Sequence, residues 1–511
     1  MAYLLAFIAT LVSSFVVEQF SKPKASSVFK RPLSALVISS FLVFCLFLLA
    51  LLITQRPAFA ACLSLLGITI VVVVNNTKFK TLREPLVFSD FFLYLQAIKH
   101  PRLYLPFLGA YPLIAICVMV LLIVFCGFYF ESPAHDVISW ATFGNLALLI
   151  VSVYSLMVIG RRVTINMRVN QDYPSLGVLA GLSCYGAQAS DQRKSLKGII
   201  KDQSPFKLHN TEEERKGASS LADIVVVQSE SFFDARALSQ KIKPTVLSEY
   251  DQCLSESMLH GKLKVPAWGA NTMRTEFAFL CGLNPEALGL AQFYPYQQLM
   301  DVSLPSIVSD LKSQGYHCVC IHPNASSFFM RDQFFEKLGF DEFIDADAFT
   351  DAERAGPYVS DIAVSDKITE ILSLNTQPYF VYTITMENHG PLHLESVQDN
   401  EWKDYFTEKP DKALTDLIVY LRHLKNADEM IKQQLEFYKA RQRETIFAFY
   451  GDHVPAISHV FEALGYDDSR SNYFIWSSTS TESDHGTPRQ MKAEALAESI
   501  ANLTKTHRSP K

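Results

Sequence analysis

Five long apolar runs occupy the first third of the chain, and each is long enough, or nearly so, to cross the ~30 Å hydrocarbon core of a bilayer as a helix. The runs lie at about 3–17, 34–54, 58–75, 110–130 and 138–160. The second run contains no charged residue, and the fourth includes the sequence ICVMVLLIVFCGFYF. This pattern predicts a helical transmembrane domain over residues 1–160, and hence an integral membrane protein.

The pattern changes after residue 160. Residues 161–220 mix charged residues with a Gly-rich stretch, which predicts a juxtamembrane linker. From residue 221 to about 505, short β-branched or aromatic runs alternate with amphipathic helical segments. The strands are expected at 222–228, 317–321, 379–385, 445–450 and 472–476. Strands that are apolar on both faces and alternate with helices indicate an α/β domain with a mainly parallel sheet.

Charge divides the chain at the same place. The 511 residues have a formal net charge of −6. Residues 1–160 carry 10 basic and 5 acidic residues, a net charge of +5, which leaves 36 basic and 47 acidic residues, a net charge of −11, for the rest. An acidic polar part without a basic stripe argues against a nucleic-acid partner. The nine cysteines include no CxxC pair and imply no disulfide framework.

Polar groups follow four of the predicted strands. They are Ser229-Glu230-Ser231, His322-Pro323-Asn324, Glu387-Asn388-His389-Gly390 and Gly451-Asp452-His453. In a parallel α/β sheet the ligand site lies outside the carboxyl ends of the strands. Carboxylates and imidazoles are ligands of divalent metals, so we expect a metal site at this edge of the sheet.

Each candidate for the metal site also has a plain structural interpretation. Asp452 and His453 can reach one ion if the turn after Gly451 brings them together, but Asp452 can equally cap a helix. Glu230 alone is weak evidence, and it gains weight because it would share the sheet edge with Asp452.

The segment WGANTMRTEFAF places Thr272 near the start of a predicted helix. A hydroxyl there that faces a divalent cation can lose its proton and attack phosphorus. Taken alone, the segment favours a plain N-cap by Asn271 or Thr272, with Glu276 supporting the first turn.

Two further candidates are compatible with a phosphate ester. His389 follows a strand and can hold a substrate oxygen or protonate a leaving group, although a lone histidine there is more often structural. Arg331 and Phe329 offer a guanidinium and an aromatic face. The alternative for this pair is a helix start with Arg331 on the surface.

Five short motifs, taken together and in their order, resemble those of lipoteichoic acid synthase-like enzymes: SES at Glu230, NTMRTEF around Thr272, FFMRDQ around Arg331, ENHGP at His389 and YGDH at Asp452-His453. Those enzymes are membrane-anchored phosphoglycerol transferases of the alkaline phosphatase and sulfatase superfamily. The resemblance covers about residues 220–500, and it implies a fold of that superfamily for residues 221–505.

The resemblance also implies the roles of the candidate residues. One divalent ion, Mn²⁺ in the first place with Mg²⁺ or Zn²⁺ as alternatives, would be held by Glu230, Thr272, Asp452 and His453. Thr272 would be the nucleophile. His389 and Arg331 would hold the phosphoglycerol group, with Phe329 beside them, where the family usually has tryptophan.

The implied reaction has two steps. Thr272 attacks the phosphate of phosphatidylglycerol and releases diacylglycerol, and an acceptor hydroxyl then displaces the threonine. The acceptor would be a cell-envelope glycan or a polyglycerolphosphate chain. The main alternative is a phosphoethanolamine transferase, which would use the same four metal-site positions. A non-catalytic protein that binds a lipid or glycan is the alternative from another class. A sulfatase is disfavoured because no cysteine begins a C-x-P-x-R sequence.

Two arguments about orientation disagree. Lysines and arginines concentrate in the loops after the first and third apolar runs, and the positive-inside rule would then place the polar domain in the cytoplasm. The resemblance implies a bacterial inner-membrane protein whose catalytic domain faces the periplasm or the cell exterior. We favour the second orientation, because long C-terminal domains often translocate regardless of flanking charge.

Overall fold

The computed structural model describes residues 1–91, 110–134, 139–192, 196–207, 221–374, 377–481 and 486–506. The chain divides into two compact units, Met1–Ser195 and Leu196–Lys511. Residues 208–220, which belong to the predicted linker, lie outside the described residues.

The first unit is helical. Its helices are α1 (Ala2–Glu18), α2 (Leu33–Thr54), α3 (Pro57–Leu82), α4 (Ala110–Phe130), α5 (Trp140–Arg162), α6 (Val169–Leu176) and α7 (Val178–Gln192). All five predicted apolar runs are helices. Among the described residues, α2 to α5 are the four helices long and apolar enough to cross a membrane, while α1 is apolar but has 17 residues.

Helix α2 lies at the centre of this unit, where it contacts α1, α3, α5 and α7. Ala35 and Ala180 have no exposed surface and lie in one cluster with Ile38, so small side chains allow α2 and α7 to approach closely. The carboxylate of Glu18 pairs with Arg31 and accepts a hydrogen bond from the amide of Leu179 at 2.9 Å. Part of the predicted linker is therefore helical and packs within the first unit.

The second unit is built on an eight-stranded sheet. Its strands, in the order β10-β2-β9-β8-β1-β7-β3-β4, are β1 (Asp223–Ser229), β2 (Leu259–Lys264), β3 (His317–Ile321), β4 (Glu342–Ile344), β7 (Tyr379–Ile384), β8 (Thr445–Gly451), β9 (Ser471–Ser477) and β10 (Met491–Lys492). A separate hairpin pairs β5 (Arg354–Ala355) with β6 (Tyr358–Val359). Strands β8, β1, β7, β3 and β4 run parallel, and β9 is antiparallel to β8 and β2.

The second unit also contains helices. They are α8 (Leu196–Gln203), α9 (Ser248–Glu256), α10 (Thr272–Cys281), α11 (Pro295–Leu299), α12 (Ile307–Ser313), α13 (Arg331–Leu338), α14 (Asp361–Ser373), α15 (Trp402–Tyr405), α16 (Thr415–Ala440), α17 (Ser458–Ala463) and α18 (Ala493–Thr506). Apolar side chains of β1, β8 and α16 share one core cluster. Phe279 of α10 packs against Tyr382 and Tyr450, with ring centroids 5.6 and 5.1 Å apart.

The predicted fold class is confirmed. Each of the five predicted strands is present within one or two residues of its expected ends, and the sheet is mainly parallel. The sequence pattern missed β2, β4, β10 and the hairpin, because these strands are short or, like β2 (LHGKLK), are rich in polar residues and glycine. All nine cysteines are free thiols.

Candidate functional site

The carboxyl ends of β1 and β8 lie side by side, because Ser229 pairs with Gly451 in register. Glu230 directly follows the first strand, and Asp452 and His453 directly follow the second. The three side chains are buried, and each offers a ligand atom within 4.8 Å of the others. His453 Nε2 lies 3.2 Å from Asp452 Oδ2 and 3.6 Å from Glu230 Oε1. The structure therefore brings these three predicted ligands together.

Local hydrogen bonds fix the orientations of the Glu230, Asp452 and His453 side chains. The amide of Ser231 donates to Asp452 Oδ1 at 2.8 Å, and the Ser231 hydroxyl donates to Glu230 Oε1 at 2.8 Å. His453 Nδ1 donates to the carbonyl of Val454 at 3.0 Å, which leaves a lone pair on Nε2. Because Asp452 accepts from Ser231, it holds the end of β1 in place and does not cap a helix.

Two atoms of this cluster are buried without a hydrogen-bond partner among the described residues. They are Asp452 Oδ2 and His453 Nε2. Leaving a buried polar atom unsatisfied costs roughly 1–3 kcal/mol. Both are acceptors that face each other, so a hydrogen bond between them cannot satisfy them unless one is protonated. A divalent cation satisfies a carboxylate and an imidazole nitrogen at once, and the residues present fit such an ion.

The electrostatics of the cluster agree with a cation site. Burial and the neighbouring charge of Asp452 raise the pKa of Glu230 to about 7. Two carboxylates at such short range repel each other when both are ionised. A divalent cation between them would offset that repulsion and hold both in the charged form.

Thr272 is the first residue of helix α10, and it is partly buried. Its N-cap, Asn271, has a left-handed backbone with φ of 66°, and the described structure shows no capping hydrogen bond from the Asn271 side chain. Asn271 therefore occupies the predicted N-cap position but does not cap the helix through its side chain, and the first turn keeps amide groups available to an anion. Thr275 Oγ1 donates to the carbonyl of Asp452 at 2.7 Å, which fixes this turn beside the cluster.

Positive φ angles recur in the site segments. Four non-glycine residues of these segments, Ser231, Asn271, Phe329 and Met330, have φ between 57° and 66°. Each such conformation costs on the order of 1–3 kcal/mol and persists only where the surrounding structure enforces it.

Arg331 is only 2% exposed, so the predicted alternative of a surface arginine is wrong. Its Nε and Nη2 donate to the two carboxylate oxygens of Glu276 at 3.0 and 2.9 Å. Its Nη1 donates to His322 Nε2 at 3.0 Å. The hydroxyl of Tyr296 also donates to Glu276. Glu276 therefore pairs with Arg331 instead of supporting the first turn of α10.

His322 was not assigned a role from the sequence, although its position directly after β3 was a signal. Its Nδ1 donates to the carbonyl of Ile384 at 3.1 Å, which leaves Nε2 to accept from Arg331. Burial and the Arg331 charge lower the pKa of His322 well below its ordinary value. A neutral His322 thus orients the guanidinium. The ring of Phe329 lies 5.4 Å from that guanidinium, an aromatic wall beside a cation.

His389 lies in the loop after β7. Its Nδ1 donates to the carbonyl of Gly390 at 2.7 Å and contacts the hydroxyl of Tyr358 at 3.2 Å. Its Nε2 therefore carries a lone pair, and burial lowers the pKa of His389, which keeps the ring neutral. A neutral imidazole accepts a hydrogen bond or a proton from a hydroxyl. This geometry favours holding a substrate oxygen over protonating a leaving group.

Comparison with known protein families gives one match over most of the second unit. The sulfatase family profile matches residues 222–506, which is more than half of the chain. This match, together with alignments to lipoteichoic acid synthases, confirms the resemblance that the motifs indicated.

Three relatives illustrate the range of similarity. The capsular polysaccharide biosynthesis protein RkpI of Rhizobium meliloti is 28% identical over 492 residues, 91% of this chain and 84% of that protein. A Rhizobium meliloti protein named for cyclic β-1,2-glucan modification is 28% identical over 245 residues, 48% of this chain but only 37% of that protein. Lipoteichoic acid synthase 1 of Bacillus subtilis is 27% identical over 162 residues, 30% of this chain and 23% of that protein.

Among solved structures, the integral membrane lipooligosaccharide phosphoethanolamine transferase A (EptA) of Neisseria meningitidis has the same fold. The match has a TM-score of 0.54 at 14% identity, and it covers 92% of this chain and 95% of that one. A membrane-anchored fold of the alkaline phosphatase type is therefore common to both chains.

Proposed function

The chain belongs to the sulfatase family, and from this premise we propose that it transfers phosphoglycerol from phosphatidylglycerol to a cell-envelope glycan in a metal-dependent reaction. One observation carries the proposal. The buried cluster of Glu230, Asp452 and His453 presents two unsatisfied ligand atoms beside the uncapped start of helix α10. Since no cysteine begins a C-x-P-x-R sequence, phosphoryl transfer is favoured over the hydrolysis of sulfate esters.

The proposed nucleophile is Thr272. A divalent ion, Mn²⁺ in the first place, held by Glu230, Asp452, His453 and the threonine hydroxyl, would lower the pKa of that hydroxyl and stabilise negative charge at phosphorus. Thr272 Oγ1 forms a bond to phosphorus while the bond from phosphorus to the diacylglycerol oxygen breaks. Diacylglycerol leaves with a proton equivalent to the one that Thr272 loses. An acceptor hydroxyl then displaces Thr272, which regains a proton.

Two other residues are proposed to hold the phosphoglycerol group. Arg331 uses three of its N–H groups on Glu276 and His322, and its remaining N–H groups can donate to a phosphate oxygen. His389 Nε2 can accept from a hydroxyl of the glycerol or of the acceptor. Phe329 would line the same side of the headgroup. An ethanolamine group, by contrast, carries a cation and would need an anionic partner.

A glycan acceptor is supported by the two Rhizobium relatives. The alignment to RkpI covers 91% of this chain, and its name places it in capsular polysaccharide biosynthesis. The second relative is named for the modification of a cyclic glucan. Polyglycerolphosphate, the acceptor implied by the lipoteichoic acid synthases, has weaker support because that alignment covers 30% of the chain. A lipid donor is consistent with the apolar helices α2 to α5.

Intact-mass spectrometry tests the proposal directly. The full-length protein is incubated in detergent with Mn²⁺, phosphatidylglycerol and phosphatidylethanolamine, beside Thr272→Ala and the matched control Thr407→Ala, whose threonine is exposed. We expect a phosphoglycerol adduct on the wild type and on the control, and none on Thr272→Ala. A phosphoethanolamine adduct would keep the nucleophile and change the donor. A folded, metal-loaded protein that acquires no adduct from either lipid would overturn the proposed transfer.

A further inference from the structure

A buried histidine on α16 lies between two glutamates of the loop that carries His389. His423 Nδ1 lies 2.9 Å from Glu387 Oε1, and its Nε2 lies 3.1 Å from both carboxylate oxygens of Glu395. The side chains of His423 and Glu387 are fully buried, and that of Glu395 is 12% exposed. Residues 387–395 therefore form a loop whose two ends are held by one imidazole.

Neighbouring groups hold each glutamate independently. Glu387 Oε2 accepts from the amide of Asp361 at the start of α14, at 2.6 Å, and Glu387 Oε1 accepts from Asn426. Arg422 lies 3.3 Å from Glu395 Oε2. Gly356, in the β5–β6 hairpin, has φ of +63°, and a side chain there would meet the Glu395 carboxylate. Tyr358, on the same hairpin, is the residue that contacts His389.

We propose that His423 is a positioning residue, which acts as an imidazolium that clamps both ends of loop 387–395 and so fixes the position of His389. This inference rests on the proposed function in one respect, namely that His389 contacts the substrate. Both ring nitrogens face carboxylate oxygens, and each contact is a hydrogen bond only when that nitrogen carries its proton. One cation thus offsets two buried carboxylates, whose charges would otherwise repel each other across the loop.

The charge balance around the loop agrees with a cationic His423. Burial would lower the pKa of His423, but its hydrogen bonds to Glu387 and Glu395 outweigh burial and raise it to about 9. Of the other groups around the clamp, Arg422 is cationic and pairs with Glu395 at 3.3 Å and with Glu401 at 2.7 Å. The charges of Arg422 and His423 help to lower the pKa of Glu401. Burial and the Glu387 charge raise the pKa of Asp361 well above its ordinary value.

Hydrogen exchange of the full-length, Mn²⁺-loaded protein in detergent tests the clamp without relying on activity. We expect His423→Gln, which keeps a polar side chain but cannot donate to both glutamates, to increase exchange in peptides that span residues 386–396. The matched control is His393→Gln, since His393 is exposed in the same loop. If His423→Gln does not fold, Glu395→Gln releases only the partly exposed end. Unchanged exchange in the folded variant overturns the clamp, whatever the activity of the wild type.

Kinetics then test whether His423 acts through His389. With a fluorescent phosphatidylglycerol as donor, we expect His423→Gln to lower kcat by about 10- to 100-fold, because a small misplacement of a contacting group has effects of that size. KM should change less. In a His389→Gln background the same substitution should change kcat by less than about 2-fold, since residues in one network are not additive. If the fold-change in kcat of the double variant equals the product of the fold-changes of the two single variants, His423 does not act through His389.

The two proposals fail in different ways. If the wild type does not turn over phosphatidylglycerol, the proposed function is wrong and hydrogen exchange alone decides the clamp. Where turnover is measurable, the ratio of wild-type to His423→Gln kcat should fall towards 1 as the pH rises through about 9, because His423 then loses its proton. A ratio that stays constant through this range would contradict the imidazolium.

Discussion

At the residue scale, the site depends on two acceptor atoms that the described residues leave unsatisfied, Asp452 Oδ2 and His453 Nε2. The other polar atom of each side chain is hydrogen-bonded, Asp452 Oδ1 to the amide of Ser231 and His453 Nδ1 to the carbonyl of Val454. These two hydrogen bonds orient Oδ2 and Nε2 towards each other. Such an arrangement destabilises the protein without a cation and makes binding of a cation favourable. Metal affinity and stability are therefore linked at this site.

Asp452→Asn should abolish most of that linkage, because an amide replaces one charged ligand. We expect Mn²⁺ to raise the Tm of the full-length wild type. At a Mn²⁺ concentration 100 times the Kd, the added free energy of unfolding should be about 2.7 kcal/mol. The variant should show little or no shift, and a chelator should remove the wild-type shift. Asp404→Asn, at an exposed position, is the control and should respond like the wild type. An undiminished shift in Asp452→Asn would exclude this carboxylate as a ligand.

The ion pair between Arg331 and Glu276 has a different function at the same scale. Both side chains are buried, and the geometry is bidentate. Removing one partner from such a pair costs roughly 3–5 kcal/mol, because the remaining charge is left buried without compensation. Glu276→Gln should therefore lower the free energy of unfolding by about that amount.

Denaturant unfolding of the full-length protein measures this effect. The control is Glu429→Gln, which removes a solvent-exposed pair with Lys432 at 3.7 Å and should change stability by less than about 1 kcal/mol. If Glu276→Gln is as stable as that control, Arg331 is not held by Glu276, and its guanidinium is freer for the substrate than the structure indicates.

At the scale of elements, the site depends on the close approach of two backbone segments. The segment that follows β1, at Phe232, passes directly beside Gly451 at the end of β8. A side chain at Gly451 would place its Cβ 1.8 Å from the carbonyl oxygen of Phe232 and 3.1 Å from the side chain of Ser471. The φ of Gly451 is not positive, so the backbone conformation does not by itself require glycine there. Glycine is needed because two backbone segments come into contact.

Gly451→Ala should therefore separate Glu230 from Asp452 and His453. We expect a loss of Mn²⁺ binding and a destabilisation of several kcal/mol, since backbone must move to admit the methyl group. Gly465→Ala is the comparison, because that glycine has φ of +63° and open space around its Cβ, so it should cost only about 1–2 kcal/mol of backbone strain. Equal stability of the two variants would mean that the close approach does not constrain the site.

At the scale of the whole molecule, two units of different chemistry share one chain. The first contains four helices able to cross a membrane among its described residues, and the second contains the sheet and the candidate site. The proposed transfer, from a lipid donor to a glycan acceptor outside the cytoplasm, would require the second unit to face outward. The distribution of basic residues in the first unit favours the opposite orientation.

Reporter fusions at the C-terminus distinguish these orientations. We expect a phosphatase that is active only after export to be active when fused to Lys511, and a fluorescent protein that folds only in the cytoplasm to be dark. The reverse pair of results would place the sheet domain in the cytoplasm and would exclude transfer to an envelope glycan.

Sequence alone determined the long apolar helices, five of the strands and the residue types that follow four of those strands. Apolar runs of membrane-spanning length, and strands apolar on both faces, are local patterns that persist in the folded protein, so helices α2 to α5 and strands β1, β3, β7, β8 and β9 were predictable. Because parallel strands end at one edge, Glu230, Asp452 and His453 could be expected to meet there.

Only the tertiary structure decided which groups partner one another. Three such contacts join residues that are distant in the sequence. Arg331 is buried against Glu276, and the backbone of Phe232 lies close to Gly451. His423 contacts both Glu387 and Glu395. Local sequence patterns carry no information on such contacts. Hydrophobic periodicity indicates which face of a helix or strand a residue occupies, but it does not indicate which distant residue it contacts. The same side chain is a surface charge in one packing and a buried partner in another.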